Sequence, residues 1–381
     1  MKLSKAMGTI QMVDLHRQYS RLKAEIDAAM QEVVESTAFI NGPQVGAFAS
    51  HLAEYMHVPH VVPCGNGTDA LLVALMSLGL KPGDEVIVPS FSYVAAAEMV
   101  ALLGLIPVWL DVDERTFNLN PWQIESAVSP KTRAIIVVHL FGQCCDMEEV
   151  CKIAEQNHLF VIEDNAQSLG AEVIYSDGNR LKAGTIGQIG TTSFFPSKPL
   201  ACFGDGGALM TSDDWLSTRI KMVANHGQQV KYQHKIVGVN SRLDTLQAAV
   251  LNAKLPHLEE FAASRRKVAR RYDEAFGNDE RWTIPYQAPY STHVYHQYTL
   301  QVAGNRRDDL QQYLKSKGIP SMVYYPIPLH KQPAFYGFSR NGSSLNVSEH
   351  LVTSVLSLPI HTEMTDDEID YLIETVCSYG K

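Results

Sequence analysis

Lys198 stands in Thr191-Thr192-Ser193-Phe194-Phe195-Pro196-Ser197-Lys198-Pro199-Leu200, and Ala201-Cys202-Phe203-Gly204-Asp205-Gly206-Gly207 follows directly. A single lysine after an apolar run, flanked by prolines and then a glycine-rich turn, is placed to form a Schiff base with a carbonyl. Burial and cationic neighbours lower an amine's pKa and make it nucleophilic. A lone lysine is ordinarily a solvated surface charge, so the rest of the chain must decide the reading. One companion is Cys64-Gly65-Asn66-Gly67-Thr68-Asp69-Ala70-Leu71. Its glycines let the backbone approach a ligand, and the helix that follows offers free N–H groups, a combination suited to a phosphate. The segment reads equally as a plain turn with Thr68 or Asp69 as the helix N-cap. It is neither a Walker A loop nor G-x-G-x-x-G, which argues against nucleotide hydrolysis and dinucleotide binding.

A second companion is Val161-Ile162-Glu163-Asp164-Asn165-Ala166-Gln167-Ser168. A carboxylate at the end of an apolar strand can hold a protonated ring nitrogen or a metal; otherwise Asp164 caps the next helix. Phosphate loop, carboxylate and lysine, in that order, are what pyridoxal phosphate (PLP) requires: a cradle, a partner for the pyridinium proton and a lysine for the imine. An aromatic ring over the pyridine face would complete the set. Phe91 or Tyr93, in Pro89-Ser90-Phe91-Ser92-Tyr93, can supply it, with core packing as the alternative for either.

These groups need a scaffold, and residues 60–212 alternate in a way that provides one. Short apolar runs at Glu85–Pro89, Ile106–Leu110, Ala134–His139 and Phe160–Glu163 read as buried strands. Helix-period segments at Asp69–Leu80, Tyr93–Leu103, Pro121–Val128 and Glu148–Asn157 lie between them. That alternation predicts βαβ units and a mainly parallel sheet. Ligands on such sheets bind outside the carboxyl ends of the strands, where the residues above fall. From Asp244 to Arg271 the pattern is one long helix, broken or bent near Pro256. A strand at Tyr298–Val302, a polar helix at Asp308–Lys317, the passage Tyr324-Tyr325-Pro326-Ile327-Pro328 and a helix over Asp366–Ser378 then suggest a smaller α+β domain. The expected division is 1–250 for a large cofactor domain and 251–381 for a small one.

The chain has 381 residues, 45% apolar and 19% charged, with 32 Lys and Arg against 41 Asp and Glu, a formal charge of −9. That balance argues against nucleic acid or an anionic membrane as the main partner, because both need clustered cations. It leaves room for a small anionic ligand in one local pocket. The six cysteines, adjacent Cys144 and Cys145 among them, show neither C-x-x-C spacing nor zinc-finger histidines. No metal is expected, and reduced thiols fit a cytoplasmic protein. The N-terminal Met-Lys-Leu-Ser-Lys lacks the apolar core of a signal peptide. His226, His234 and His257 lie on polar segments without metal spacing.

Taken together, the motifs resemble the DegT/DnrJ/EryC1/StrS family of fold-type-I PLP enzymes, aminotransferases that act on nucleotide-linked keto-sugars. The resemblance runs from Asp14-Leu15 to the C-terminal helix. It is carried by residues 65–71, 163–167 and 193–207, by Gly238-Val239-Asn240-Ser241-Arg242-Leu243-Asp244, and by Tyr325-Pro326-Ile327-Pro328-Leu329-His330. It implies a mainly parallel seven-stranded sheet between helices, with a smaller α+β C-terminal domain. By the same resemblance Lys198 holds the cofactor as a Schiff base and moves the proton, and Asp164 pairs with the ring nitrogen. Gln167 contacts the ring hydroxyl, Tyr93 stacks on the ring, and Gly67, Thr68 and Ser193 bind the phosphate. Asn240 is implied to reach that phosphate from a neighbouring subunit and Arg242 to meet a substrate carboxylate, so a homodimer with shared sites is expected.

Residues 196–207 look closest to the subgroup that aminates C3 of UDP-2-acetamido-2-deoxy-3-oxo-glucuronate, with L-glutamate as donor, for surface polysaccharide. Arg242 suits a uronate, whose carboxylate a guanidinium holds bidentately, but it suits the amino-acid donor as well. His330 and Tyr324 depart from the subgroup and are candidates for touching the sugar. The alternatives are a dTDP-3-keto or a UDP- or dTDP-4-keto-6-deoxyhexose as acceptor. A sugar dehydratase would replace the lysine by histidine, and a non-catalytic regulator would lose Lys198 or Asp164; this chain keeps both.

Overall fold

A computed structural model describes residues 10–380; Met-Lys-Leu-Ser-Lys at the N-terminus lies outside them. The sheet that carries the site begins with β1 (His60–Cys64), β2 (Glu85–Pro89), β3 (Ile106–Leu110), β4 (Thr132–Val138) and β5 (Phe160–Asp164). Strands Ile189–Ser193 and Gly207–Thr211 follow in the chain. In space the order is β1, Gly207–Thr211, Ile189–Ser193, β5, β4, β2, β3. Contacts from Ile189–Ser193 through β3 are parallel, and the two outermost pairings on the β1 side are antiparallel. Four of these strands, β2 to β5, fall where the apolar runs place them, and the seven together make the mainly parallel sheet that the resemblance implies. An eighth, Arg340–Asn341, comes from the C-terminal part and pairs in parallel with β3. It is held by a two-point ion pair from Arg340 to Glu85, at 2.8 and 2.6 Å.

Both faces of the sheet are covered, which is why its strands are continuous Val and Ile runs rather than alternating ones. Val86, Val88, Ile136 and Ile162 pack to one side, and Ile87, Ile135, Val137 and Val161 to the other. Two helices precede the sheet. α1 (Leu15–Ser36) is N-capped by Asp14, whose side chain accepts the Arg17 amide at 2.9 Å, and packs Leu22 and Ile26 against Val250 and Phe261. α2 (Pro43–Met56) buries Phe48, Leu52 and Met56 completely. The long helix is broken as expected: Thr245–Lys254, a single 3₁₀ turn at Leu255–His257 that holds Pro256, then Leu258–Phe276.

Beyond it, strands Trp282–Thr283, Tyr298–Val302 and Val355–Leu358 form an antiparallel sheet with its own core of Tyr272, Phe276, Leu300, Leu356 and Leu372. Among the described residues no helix is long and apolar enough to cross a membrane, and no group of three or more metal-ligating side chains gathers.

Candidate active site

The carboxyl ends of β5 and of Ile189–Ser193 open onto a cavity of about 480 Å³ together with the start of α3 (Gly67–Leu78). Gly67, Thr68, Tyr93, Asp164, Gln167, Ser193, Lys198 and Tyr324 all line it. Eight residues spread over more than 250 positions of sequence thus converge at one place.

At one end lies the helix terminus. Asn66 is the N-cap, its side chain accepting the Asp69 amide at 2.7 Å, so neither Thr68 nor Asp69 fills that role. Ala70 N–H goes to the Asn66 carbonyl at 3.0 Å, which leaves the Gly67 and Thr68 amides as the open donors of the first turn. A Cβ on Gly67 would come within 2.6 Å of Ser193 Cβ, so only glycine lets helix and strand end meet this closely. Ser241 braces the loop from behind: its Oγ accepts Gly65 N–H at 2.9 Å and donates to Asp69 at 2.7 Å.

At the other end is Asp164, buried, with one oxygen accepting the Ala166 amide at 3.0 Å. No helix follows it, so the contact is a local turn bond rather than a helix cap. Burial pushes the Asp164 carboxyl above its ordinary range, against the pull of the Ala166 amide, Lys198 and His139. Burial also pushes the Lys198 amine below its ordinary range, and the charge of Asp164 opposes that. An amine favoured in its neutral form is the nucleophile a Schiff base needs. Gln167 accepts the Phe141 amide at 2.8 Å and donates to the Tyr325 hydroxyl at 3.2 Å, which fixes its amide orientation. Tyr93 is 56% exposed and tilts against Tyr325, with ring centroids 6.2 Å apart, so its face is free. Phe91 is core, 1% exposed.

Three candidates lie elsewhere. Asn240 is exposed and accepts a hydrogen bond from the half-buried Arg242; neither lines this cavity. His330 does not line it either. Its Nδ1 lies 2.6 Å from Ser90 Oγ and its Nε2 3.1 Å from Glu349, so the ring clamps the 324–330 passage to the end of β2. Phe141, His296 and Gln297, which no motif singled out, also line the wall. His296 is 5% exposed, and burial, together with Lys198 and Arg265, holds its imidazole well below the usual range. No periodic pattern marks Ser291–Gln297, so only the tertiary fold brings it here.

The residues present fit PLP. A glycine-bounded helix terminus, a buried carboxyl facing the cavity and a half-buried lysine whose amine is desolvated answer to its phosphate, ring nitrogen and aldehyde. Fold and site together define a fold-type-I PLP enzyme. The chain belongs to the DegT/DnrJ/EryC1/StrS aminotransferase family, whose model matches residues 20–377. It is a PLP-dependent aminotransferase. It is similar to the UDP-2-acetamido-2-deoxy-3-oxo-D-glucuronate aminotransferase of Pseudomonas aeruginosa, at 46% identity over 92% of this chain and 95% of that one. It is also similar to a pleiotropic regulatory protein of Geobacillus stearothermophilus, at 41% identity over 97% and 98% of the two chains. Among solved structures, the ntda protein of Bacillus subtilis with bound cofactor PMP superposes with a TM-score of 0.89 at 30% identity, covering 98% of this chain and 86% of that one.

Proposed function

We propose that this chain transfers an amino group from L-glutamate to the keto carbon of a nucleotide-linked sugar, with C3 of UDP-2-acetamido-2-deoxy-3-oxo-glucuronate as the acceptor. The observation that carries the reading is the meeting of Lys198, Asp164 and the Gly67–Thr68 helix terminus in one cavity. The choice of acceptor is supported by the 46% identity to the Pseudomonas enzyme and by Arg242 as a partner for a uronate carboxylate.

When bound, PLP supplies an electron sink that makes the Cα–H bond of the donor acidic. Lys198 would hold the cofactor covalently at rest; once the donor amine has displaced it, its freed Nζ would take the proton from the donor Cα and later deliver one to the acceptor carbon. Doing so requires an amine neutral at working pH, the form that burial favours here. Asp164 would hold the ring nitrogen of a bound cofactor in its protonated form. The Gly67 and Thr68 amides and Ser193 would hold the phosphate, Gln167 the ring hydroxyl, and Tyr93 would cover the ring face. Tyr324, from the 251–381 part, forms the sugar side of the wall. Asn240 and Arg242 lie outside their own chain's cavity, which suits service to a neighbouring subunit's site in a homodimer.

The test offers glutamate and a panel of UDP- and dTDP-keto-sugars while cofactor absorbance is followed. The UDP-3-keto-uronate should restore the starting spectrum and yield the amino sugar. Reaction of a dTDP-3-keto-6-deoxy compound, with none from the uronate, would refute the choice of acceptor.

A further inference from the structure

Glu163 and Asp164 are neighbours at the end of β5, and side chains of successive strand residues point to opposite faces. Asp164 faces the cavity; Glu163 turns to the far side and is fully buried. A buried carboxylate is costly unless hydrogen-bonded, and this one is bonded at every position. One oxygen accepts the amides of Ile186 and Gly187 at 2.6 and 2.7 Å. The other accepts the Gly184 amide at 2.8 Å and lies 2.9 Å from His139 Nε2. His139, also fully buried, receives the Cys145 amide on Nδ1 at 3.0 Å. That contact makes Nδ1 the acceptor and leaves Nε2 to donate its proton to Glu163. Although burial works the other way, the bonds from His139 and the loop amides hold Glu163 below the ordinary carboxyl range.

The connections lead to the site in two directions. The His139 backbone amide donates to the Asp164 carbonyl at 3.1 Å, tying the ends of β4 and β5 together at the residue that faces the ring. The three amides on Glu163 belong to the turn that enters Ile189–Ser193, the strand that ends at Ser193 and leads on to Lys198. Gly190 fits against that turn only because it lacks a side chain, since a Cβ there would fall 1.9 Å from the Gly184 carbonyl oxygen.

We propose that Glu163 and His139 are positioning residues: a buried, charge-assisted clamp that fixes Asp164, and with it the ring-nitrogen contact, relative to the strand bearing Ser193. The proposal rests on the reading of Asp164 as the ring-nitrogen partner. A small misplacement of such a group weakens the interaction steeply, because charge-assisted bonds depend on short, aligned contacts.

The clamp is tested in the PLP-loaded protein with ¹⁵N at the cofactor ring nitrogen, whose chemical shift reports the ring proton. Apo-protein thermal stability and PLP affinity are measured alongside. Glu163→Gln keeps the shape but turns an NH₂ toward the Gly184 amide and His139. It should move the ring-nitrogen shift toward the unprotonated value, raise the PLP dissociation constant about tenfold and lower kcat, with KM for glutamate within about twofold. His139→Gln retains a donor that reaches Glu163 and should keep a near-native shift, whereas His139→Asn is too short and should follow Glu163→Gln. If Glu163→Gln fails to fold, the His139 pair carries the test. Asp164→Asn is the reference. Were it to leave the ring shift unchanged, the Asp164 reading would fall. Were it alone to move the shift, with Glu163→Gln and His139→Asn both native-like, the clamp would fall while the Asp164 reading stood.

Discussion

Ser241→Ala removes a brace that lies behind the phosphate end of the cavity and touches no ligand. Ser241 is 2% exposed, and its hydroxyl accepts Gly65 N–H at 2.9 Å while donating to Asp69 at 2.7 Å. The first bond is neutral, worth about 0.5–1.5 kcal/mol net, and the second is charge-assisted, worth about 1.5–3 kcal/mol. Asp69 is only half-buried and water replaces part of its loss, so roughly 2–3 kcal/mol of stability should go. The larger effect falls on the loop. With no acceptor, the Gly65 amide must find water, and Asp69 loses the donor that neutralises part of its charge in the first turn of α3. A freer anion at the helix terminus proposed to bind the phosphate would oppose the dianionic ligand. About 1.4 kcal/mol of that opposition is a tenfold rise in the PLP dissociation constant. The assay is a PLP titration followed by absorbance, with apo-protein melting in parallel and Ser378→Ala, at an exposed position of the C-terminal helix, as control. A PLP affinity within twofold of wild type, with an unchanged melting temperature, would refute the brace.

Gly67→Ala should lower PLP affinity more than tenfold, because the added methyl lands 2.6 Å from Ser193 Cβ and forces the helix start away from the strand; equilibrium dialysis against PLP reads the loss. Acid stability should depend on the pair that ties Arg340–Asn341 to the sheet. The Arg340 guanidinium holds Glu85 down to about 2, despite burial. A depressed carboxyl contributes stability that is fully present above its unfolded value of about 4.5 and is lost as pH falls toward 2. Discounted for the partial exposure of Arg340, that contribution is on the order of 1–2 kcal/mol. Arg340→Met should therefore lower denaturation midpoints at pH 7 and flatten their fall between pH 5 and 2; an unchanged profile would show that the pair contributes nothing.

Much of the scaffold was legible because parallel strands buried on both faces leave a compositional mark. Glu85–Pro89, Ile106–Leu110 and Tyr298–Val302 fall where the apolar runs place them, and Pro256 breaks the long helix as its missing N–H requires. α1 and α2 were not read, although Asp14 and Pro43 mark their starts, because their apolar residues are interspersed among many charges and small residues. Arg340–Asn341 was missed because two residues carry no pattern, and the Arg340–Glu85 pair spans 255 positions. At the site, Lys198, Asp164 and the Gly67 turn were legible because each motif is local in sequence and its chemistry is stated by residue type. His296 was not, since a buried neutral imidazole on an irregular segment looks like any other histidine until the fold turns it inward. His330, whose place in a motif suggested the sugar, lies outside the cavity with its ring nitrogens against Ser90 and Glu349, a placement that only the tertiary fold shows.

The proposed activity turns on one covalent bond, which borohydride reduction of the PLP-loaded protein followed by peptide mapping locates. The expected result is a single modified lysine, Lys198, with the modification and the visible absorbance both absent from Lys198→Arg. Label on the buried Lys254 or any other lysine, or turnover retained in Lys198→Arg, would contradict the assignment of the site.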